Sequence, residues 1–461
     1  MKTSIITFVL VLFFVTISYT QDKEQPPVGG EPKNFIIPKK QVVSFPNGLR
    51  LVMVPYGSIP KVTIHISVKT GNIHEKEKEV WLSDLMSDLM EEGTDSLNSK
   101  QIANKMASMG GNLGIASGVH TITLNTSVLY EFGPDAIKLM ASVLKNPAWP
   151  ETEIDRLKND LKRRLSVALT RSQTQARTSF YSTIYPDHPY GRLFPTTENI
   201  DSYSIENVKS FYNANIGAKR TTVYIAGKFD ADKVKEAVEK AFGDWKEGPE
   251  GFYPEAKPIS SPSVQIIDRP NAPQSTIIYG LPVVDPSHPD YTALDVTNSI
   301  LGGSFASRIT SNIREDKGYT YSPYSFVDNN FKSSIWAEMA DVTTEFTSAS
   351  LQEINNEIIK LQNEIPTEEE LKGIQNYESG IFVLRNSTPN GIIGQMVFLE
   401  VHGLEEDYLT NRVKNINAVT PEKVKEIAKK YIRPEKMTLV IVGDKEKVEK
   451  QMKEAKNKVK D

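Results

Sequence analysis

The chain carries the same order of strands and helices twice, which restricts its architecture to two domains of one kind. The clearest match lies where each half ends, with VKSFYNANIGAKRTTVYIAGKFDADKVKEAVEKAF at 208–242 and VKEIAKKYIRPEKMTLVIVGDKEKVEKQMKEA at 424–455. Both stretches have the pattern of a helix, an apolar strand and a second helix. This spacing of about 200 residues indicates an internal duplication.

Each half begins with strands and continues into helices. In the first half, runs at 41–45 and 49–55 flank Asn47-Gly48, a hairpin turn signal, and KVTIHISVKTG at 61–71 alternates apolar and polar residues. The second half repeats the order, with strand patterns at 263–268, 275–281, 319–326 and 332–339 and helical patterns at 288–301 and 306–315. We predict an α+β fold of two homologous domains, each a mixed or antiparallel sheet with helices packed on one face.

The N-terminus has the pattern of a targeting segment. In MKTSIITFVLVLFFVTISYTQ the apolar run is shorter than the ~20 residues of a typical membrane span, so we expect a cleaved signal peptide, with an uncleaved anchor as the alternative. No other segment is apolar enough to span a membrane, and we expect a periplasmic or extracellular protein of a bacterial envelope. The predicted segments are a signal peptide at 1–20, a disordered stretch at 21–39, domains at 40–245 and 263–456, and a linker at 246–262.

Charge and cysteine content exclude several kinds of function. The net charge of −4 gives no basic field for nucleic acid or anionic membranes, so neither is expected as a partner. The chain has no cysteine, which excludes disulfides, thiol nucleophiles and thiolate metal sites.

A helical stretch in the first half, WLSDLMSDLMEEGT at 81–94, has one apolar and one polar face. Ser83, Asp84, Ser87, Asp88 and Glu91 share the polar face, which is either solvated or the remnant of a site. The six histidines have no i, i+3 or i+4 spacing. We expect His74, next to Glu75 in a charged loop, to be solvated and His188 to lie in a loop.

The duplication and Gly93-Thr94 resemble the M16 family of zinc metallopeptidases (LuxS/M16 metallopeptidase-like fold), particularly members similar to mitochondrial processing peptidase. Active subunits of that family carry His-x-x-Glu-His shortly before Gly-Thr, two histidines that bind zinc, a glutamate that activates water, and a further Glu ligand downstream. The resemblance implies that Asp84 and Asp88 occupy the histidine positions and Ser87 the base position. Arg163-Arg164 falls where the downstream Glu is expected, within about one residue.

These substitutions change the chemistry of the site. Two carboxylates four residues apart could hold a hard cation, and a metal other than zinc at Asp84 and Asp88 is one alternative. A catalytic zinc, however, needs three protein donors, and the guanidinium of Arg164 repels a cation. Ser87 cannot act as a general base near neutral pH. We therefore expect no cofactor on this chain, and the resemblance implies zinc in a partner subunit.

A second family motif is retained in GGSFASRITSNIREDKGYTYSPYS at 302–325, which resembles the Arg…Tyr motif of the second domain. The resemblance implies that Arg314 at a helix end and Tyr321 on the following strand converge on one cavity, bind a peptide carbonyl oxygen and stabilise the developing oxyanion. The alternative is that Arg314 pairs with Glu315 or Asp316 and Tyr321 packs in a strand. GGSFAS lacks a phosphate-loop pattern, and we expect it to start a helix.

The edge that binds substrate by β-addition in the family reads Asn-Ala in active subunits and Gly114-Ile115 here. A glycine edge keeps backbone hydrogen bonding and loses a side-chain contact. The alternative is an ordinary twisted strand.

These features together lead to a functional hypothesis. The chain is expected to be the non-zinc subunit of a heterodimeric M16-type metalloendopeptidase, not a zinc peptidase on its own, which contributes a cavity and Arg314 and Tyr321. Its expected partners are a homologous subunit with His-x-x-Glu-His and unfolded peptide substrates. The main alternative is a catalytically inactive peptide-binding or scaffold protein of the cell envelope. A core subunit of a respiratory complex fits the signal peptide poorly.

Overall fold

The computed structural model describes residue 36 and residues 38–458. The predicted signal peptide at 1–20 and most of the predicted disordered stretch at 21–39 lie outside the described residues. Within the described part, no helix is long and apolar enough to cross a membrane.

The first half contains a six-stranded sheet with the order β1-β2-β6-β3-β5-β4. The pairing is mixed, because β2 runs parallel to β6 while the other neighbours are antiparallel. Gly48, with a φ of 88°, forms the turn between β1 and β2 that its sequence predicts. The strands are β1 Gln41–Ser44, β2 Arg50–Pro55, β3 Lys61–Val68, β4 Gly114–Ser117, β5 Ile122–Leu129 and β6 Thr221–Gly227.

The helices of the first half cover one face of this sheet. Alternate residues of β3, including Val62, Ile64 and Ile66, are buried in one hydrophobic cluster with Leu85 and Leu89 of the first helix. Each such side chain contributes about 1.5–3 kcal/mol when fully buried. The helices are α1 Leu82–Glu91, α2 Ser99–Ser108, α3 Gly133–Lys145, α4 Glu151–Leu169, α5 Ser172–Ile184, α6 Thr197–Ser202, α7 Ile205–Asn215 and α8 Ala231–Phe242.

The second half contains a five-stranded sheet with the order β7-β11-β8-β10-β9. Its strands are β7 Ser263–Asp268, β8 Gln274–Val283, β9 Tyr324–Val327, β10 Ser334–Thr343 and β11 Thr438–Gly443. Its helices are α9 Tyr291–Asn298, α10 Arg308–Thr310, α11 Thr347–Asn363, α12 Glu368–Arg385, α13 Pro389–His402, α14 Asp407–Thr410, α15 Arg412–Asn417, α16 Pro421–Tyr431 and α17 Lys445–Lys458. The predicted α+β architecture of two similar domains is confirmed.

The predicted strand at 319–326 is wrong in its first part. The strand begins at Tyr324, and the preceding residues contribute one isolated bridge between Thr320 and Val342. Pro323 has no N–H to donate to a ladder, so regular pairing starts only after it. The predicted helix at 288–301 also changes character, because α9 ends at Asn298 and continues as a π-helical turn at Ser299–Gly303.

The two halves exchange helices. Helix α5 packs on the second sheet, where Phe180 and Ile184 lie in one cluster with Ile278 and Val440. Helix α13 packs on the first sheet, where Ile392, Ile393 and Met396 meet Val52, Val54 and Tyr224. Each sheet therefore has its own helices on one face, as predicted, and a helix from the other half on the opposite face.

Candidate functional site

Most of the polar face of α1 is covered by protein, and only Glu91 at its end is exposed. Ser83 and Ser87 are buried, and Asp84 and Asp88 are half-buried. The face lies against the short 3₁₀ turn Asn72–His74 and against β4, where the Ser117 hydroxyl donates to Ser83 Oγ at 2.8 Å. The interpretation of this face as solvated is therefore wrong. The amphipathic pattern of the helix shows which residues share a face, but not whether another element covers the polar one.

Glu75 holds the start of α1. Trp81, the residue before the helix, has a φ of 67° and offers no side-chain cap. The Glu75 carboxylate instead accepts the N–H of Trp81 at 3.0 Å, the N–H of Ser83 at 2.9 Å and the Ser83 hydroxyl at 2.6 Å. Burial raises the pKa of Glu75 to about 7. A carboxylate at a helix start satisfies orphan N–H groups and complements the helix dipole.

The expectation of a solvated His74 is wrong for the same region. His74 is half-buried, its Nε2 lies 2.8 Å from the carbonyl oxygen of Phe252, and burial lowers its pKa to about 4. His188 lies at the start of the 3₁₀ turn Pro189–Gly191, where its Nδ1 accepts the N–H of Tyr190 at 3.2 Å, and it is buried. A predicted loop therefore does not mean an exposed side chain in this fold.

Each of the residues that the resemblance places at the zinc-binding and base positions has a partner within the chain. Asp84 Oδ2 accepts from Asn72 Nδ2 at 2.9 Å, and the Ser87 hydroxyl donates to the Ser83 carbonyl at 2.9 Å. Asp88 Oδ2 forms an ion pair with Arg164 Nη2 at 2.7 Å. The neighbouring Arg163 pairs with Asp160, so Arg164 is the residue that α4 presents to α1.

The donor set does not fit a catalytic zinc. A guanidinium, which cannot lose its charge, is bonded to one of the two carboxylates at the place of the third ligand. Burial raises the pKa of Asp84 to about 6 and also raises that of Asp88, where Arg164 opposes the effect. In the described part of the chain, no three His, Cys, Asp or Glu side chains are grouped so that they could hold a metal ion.

Gly114 and Ile115 lie on β4, the last strand in the order of the first sheet. The structure therefore puts them at a sheet edge next to α1. The N–H of Ile115 is already engaged, because it donates to Glu91 Oε1 at 3.0 Å. Glu91 was assigned to the polar face of α1 but not to this edge, since the contact depends on how β4 approaches the helix.

Arg314 and Tyr321 are brought together in the second half. The Arg314 guanidinium carbon lies 4.9 Å from the centre of the Tyr321 ring and 4.5 Å from that of Phe305. Both rings are exposed, at 79% for Tyr321 and 70% for Phe305. Arg314 also pairs with Glu315 at 3.2 Å, as one alternative anticipated. Tyr321, however, precedes β9 and does not pack in a strand.

Phe305 is a member of this group that the sequence did not reveal. It stands in GGSFAS, which leads into a helix as expected, because Ser307 is the N-cap residue of α10. The signal that could have found it is a large apolar residue in a Gly/Ser-rich stretch close to Arg314.

Comparison with known proteins agrees with this arrangement. Residues 52–198 match the family model described as "Insulinase (Peptidase family M16)", and residues 202–377 match "Peptidase M16 inactive domain". The chain belongs to peptidase family M16. The first match lies within the first half, and the second begins in the last part of the first half and extends into the second.

Relatives within M16 carry different names. A protein of Rickettsia felis named "Uncharacterized zinc protease" is 24% identical, over 76% of this chain and 84% of its own length. The "Non-peptidase homolog YmxG" of Helicobacter pylori is 19% identical, over 84% of this chain and 90% of its own length. M16 membership alone therefore does not decide whether a chain cleaves peptides.

Solved M16 structures share the whole fold. The "peptidase M16 inactive domain" from Pseudomonas fluorescens has a TM-score of 0.80 at 20% identity and covers 88% of this chain and 98% of that one. A protease from Helicobacter pylori has a TM-score of 0.82 at 18% identity, with coverage of 88% and 100%.

Proposed function

We propose that this chain is the non-zinc subunit of a two-chain M16 metalloendopeptidase. A homologous partner that carries His-x-x-Glu-His supplies the zinc, and this chain contributes Arg314 and Tyr321 to the binding of unfolded peptides. The observation that carries the proposal is the Arg314 guanidinium in contact with two exposed aromatic rings, 4.5 Å and 4.9 Å from their centres.

This arrangement suits the recognition of a peptide carbonyl. Aromatic rings against the faces of a guanidinium fix its orientation and leave the N–H groups at its edge available. The Tyr321 hydroxyl makes no hydrogen bond within the described residues. Both groups can donate to a carbonyl oxygen and stabilise the negative charge that develops there during attack.

The degenerate first half supports the division of labour. Asp84, Ser87 and Asp88 are satisfied by Asn72, a backbone carbonyl and Arg164, so the water-activating chemistry has to come from another chain. We further propose that the complex works in the periplasm or outside the cell, because residues 1–20 have the pattern of a signal peptide.

The test uses the complex with the zinc-motif partner. Arg314→Ala is expected to lower kcat/KM for an unfolded peptide by about 10²–10³-fold, the range seen when one oxyanion donor is removed. Tyr321→Phe should also lower it. Arg163→Ala, which removes an exposed arginine from α4, is the control and should have no effect. Undiminished activity of both Arg314 and Tyr321 variants would refute the role of this pair.

A second candidate is a catalytically inactive peptide-binding or scaffold protein. The name "Non-peptidase homolog YmxG" of one relative favours it. The two candidates differ in one result: a scaffold would bind peptides without making any M16 partner more active.

A further inference from the structure

A cavity of about 290 Å³ lies beside α1 and is lined by both halves. Much of its wall is apolar, with Ile73, Trp81, Val119 and Leu193 among the lining residues. An engineered cavity of about 150 Å³ holds benzene, so this volume accommodates an aromatic ring with a small polar group attached. The cavity is a different place from the Arg314 group, which does not line it.

Two arginines line this cavity, and neither forms an ion pair with a carboxylate of the described chain. Arg177 Nη2 donates to the Tyr324 hydroxyl at 2.8 Å, and Arg192 Nη2 donates to the Glu75 carbonyl at 3.1 Å. The Nε of Arg192 is buried and has no hydrogen-bond partner. Across residues 38–458, no carboxylate oxygen lies within 4 Å of either guanidinium.

The two acids in the wall accept hydrogen bonds from other groups, and Arg177 acts on Asp328 only at longer range than an ion pair. Glu75 accepts the N–H groups at the start of α1. Asp328 accepts the Ile335 N–H at 2.7 Å, the Tyr181 hydroxyl at 3.1 Å and Asn330 Nδ2 at 2.9 Å. Burial raises the pKa of both acids to about 7, so at neutral pH they carry only part of their charge.

Placing a positive charge in a largely apolar cavity costs free energy unless an anion pairs with it. We propose that this cavity binds an apolar group that carries a carboxylate, with the carboxylate between Arg177 and Arg192 and the apolar part against Trp81 and Leu193. Arginine suits this ligand because its fork of N–H groups matches a carboxylate. The carboxylate could come from the C-terminus of a peptide or from an acidic side chain.

This inference goes beyond the proposed function, because it requires neither a zinc-bearing partner nor catalysis. It is tested on the purified chain alone, so its failure leaves the proposed function intact, and the reverse also holds.

The test is a calorimetric titration with three probes, checked by the fluorescence of Trp81 against a Trp81→Phe variant. N-acetylphenylalanine carries a free terminus, N-acetylphenylalaninamide has no carboxylate, and N-acetylaspartylphenylalaninamide has only a side-chain carboxylate. At least one acid is expected to bind about ten-fold or more tightly than the neutral amide, and the acid that does so identifies the source. Equal binding of all three probes, or no binding, would overturn the proposal.

Variants locate the preference in the cavity. Arg177→Gln and Arg192→Gln should each reduce the preference for the acid to within about three-fold, whereas Arg163→Gln, on the exposed side of α4, should leave it unchanged. Arg192→Lys keeps a charge and should keep part of the preference, which distinguishes loss of recognition from loss of folding. A full preference in the folded Arg177→Gln and Arg192→Gln variants would overturn the proposal.

Discussion

The side chains that the M16 resemblance places at the zinc site all have hydrogen-bond or ion-pair partners within the chain. Asp88 and Arg164 form an ion pair, and Asp84 is bonded to Asn72. The helix period predicted that Asp84, Ser87 and Asp88 share one face of α1, and in the structure this face lies against β4 and α4. The choice between Arg163 and Arg164 was not predictable from the sequence, because neighbouring residues differ by about 100° around a helix and only the packing of α4 on α1 decides.

This geometry predicts that zinc binding can be rebuilt. A variant with Asp84→His, Ser87→Glu, Asp88→His and Arg164→Glu should bind one zinc per chain, at least about 100-fold more tightly than the parent, because three donors then replace the ion pair. The control carries Arg163→Glu in place of Arg164→Glu and should bind weakly. Equal zinc affinity of the two variants, measured by competition with a chelating dye, would contradict this account of the site.

His65 is a largely buried histidine whose low pKa makes the folded state less stable as pH falls. It lies on β3, its Nε2 is buried without a hydrogen-bond partner, and burial lowers its pKa to about 4. The unfolded chain, with a histidine pKa near 6.5, takes up the proton first as pH falls, so stability is lost from about pH 6.5 down to about pH 4.

We therefore expect His65 to account for a loss of about 2 kcal/mol in the free energy of unfolding between pH 7 and pH 5. His65→Leu should show a pH-dependent loss that is smaller by about that amount, measured by denaturant unfolding at both pH values. Parallel pH profiles for the two proteins would contradict it. Because the two proteins are compared by how much their free energy of unfolding changes with pH, any effect of the substitution that does not depend on pH cancels.

Helices and strands with a regular hydrophobic period could be predicted from the sequence. Elements whose ends depend on a single residue could not. The alternation at 61–71 gave β3, and the helix pattern after β6 gave α8. The segment at 319–323 looked like a strand but is interrupted by Pro323. The start of α1 was not predictable, because its cap comes from Glu75, well upstream of the position where capping residues normally stand.

The edge strand β4 leads to a prediction for peptide binding. The Ile115 N–H, which an incoming strand would use, is bonded to Glu91. Glu91→Ala should raise the affinity of the chain for an extended, unfolded peptide by about ten-fold, since the peptide no longer displaces a charge-assisted hydrogen bond of about 1.5–3 kcal/mol. Glu92→Ala is the matched control, because Glu92 pairs with Arg156. Unchanged or weaker binding by Glu91→Ala, in fluorescence anisotropy, would count against this edge as the peptide site.

At the scale of the whole molecule, the exchange of α5 and α13 joins the halves. The sequence does not indicate which sheet these helices cover, because neither has a distinct apolar stripe that assigns it to one side. The same exchange brings Arg177 of α5 to the cavity beside α1 and near Tyr324 of β9. The duplication was therefore readable from the sequence, whereas the surface shared by the two halves was not.

We propose that this chain supplies substrate contacts and that its partner supplies the metal chemistry. The most direct measurement is cleavage of an unfolded fluorogenic peptide by the chain alone, by the zinc-motif partner alone and by their equimolar mixture. We expect no cleavage by the chain alone, little by the partner, and strong EDTA-sensitive cleavage by the mixture. EDTA-sensitive cleavage by this chain alone, at a rate comparable to that of the mixture, would contradict it.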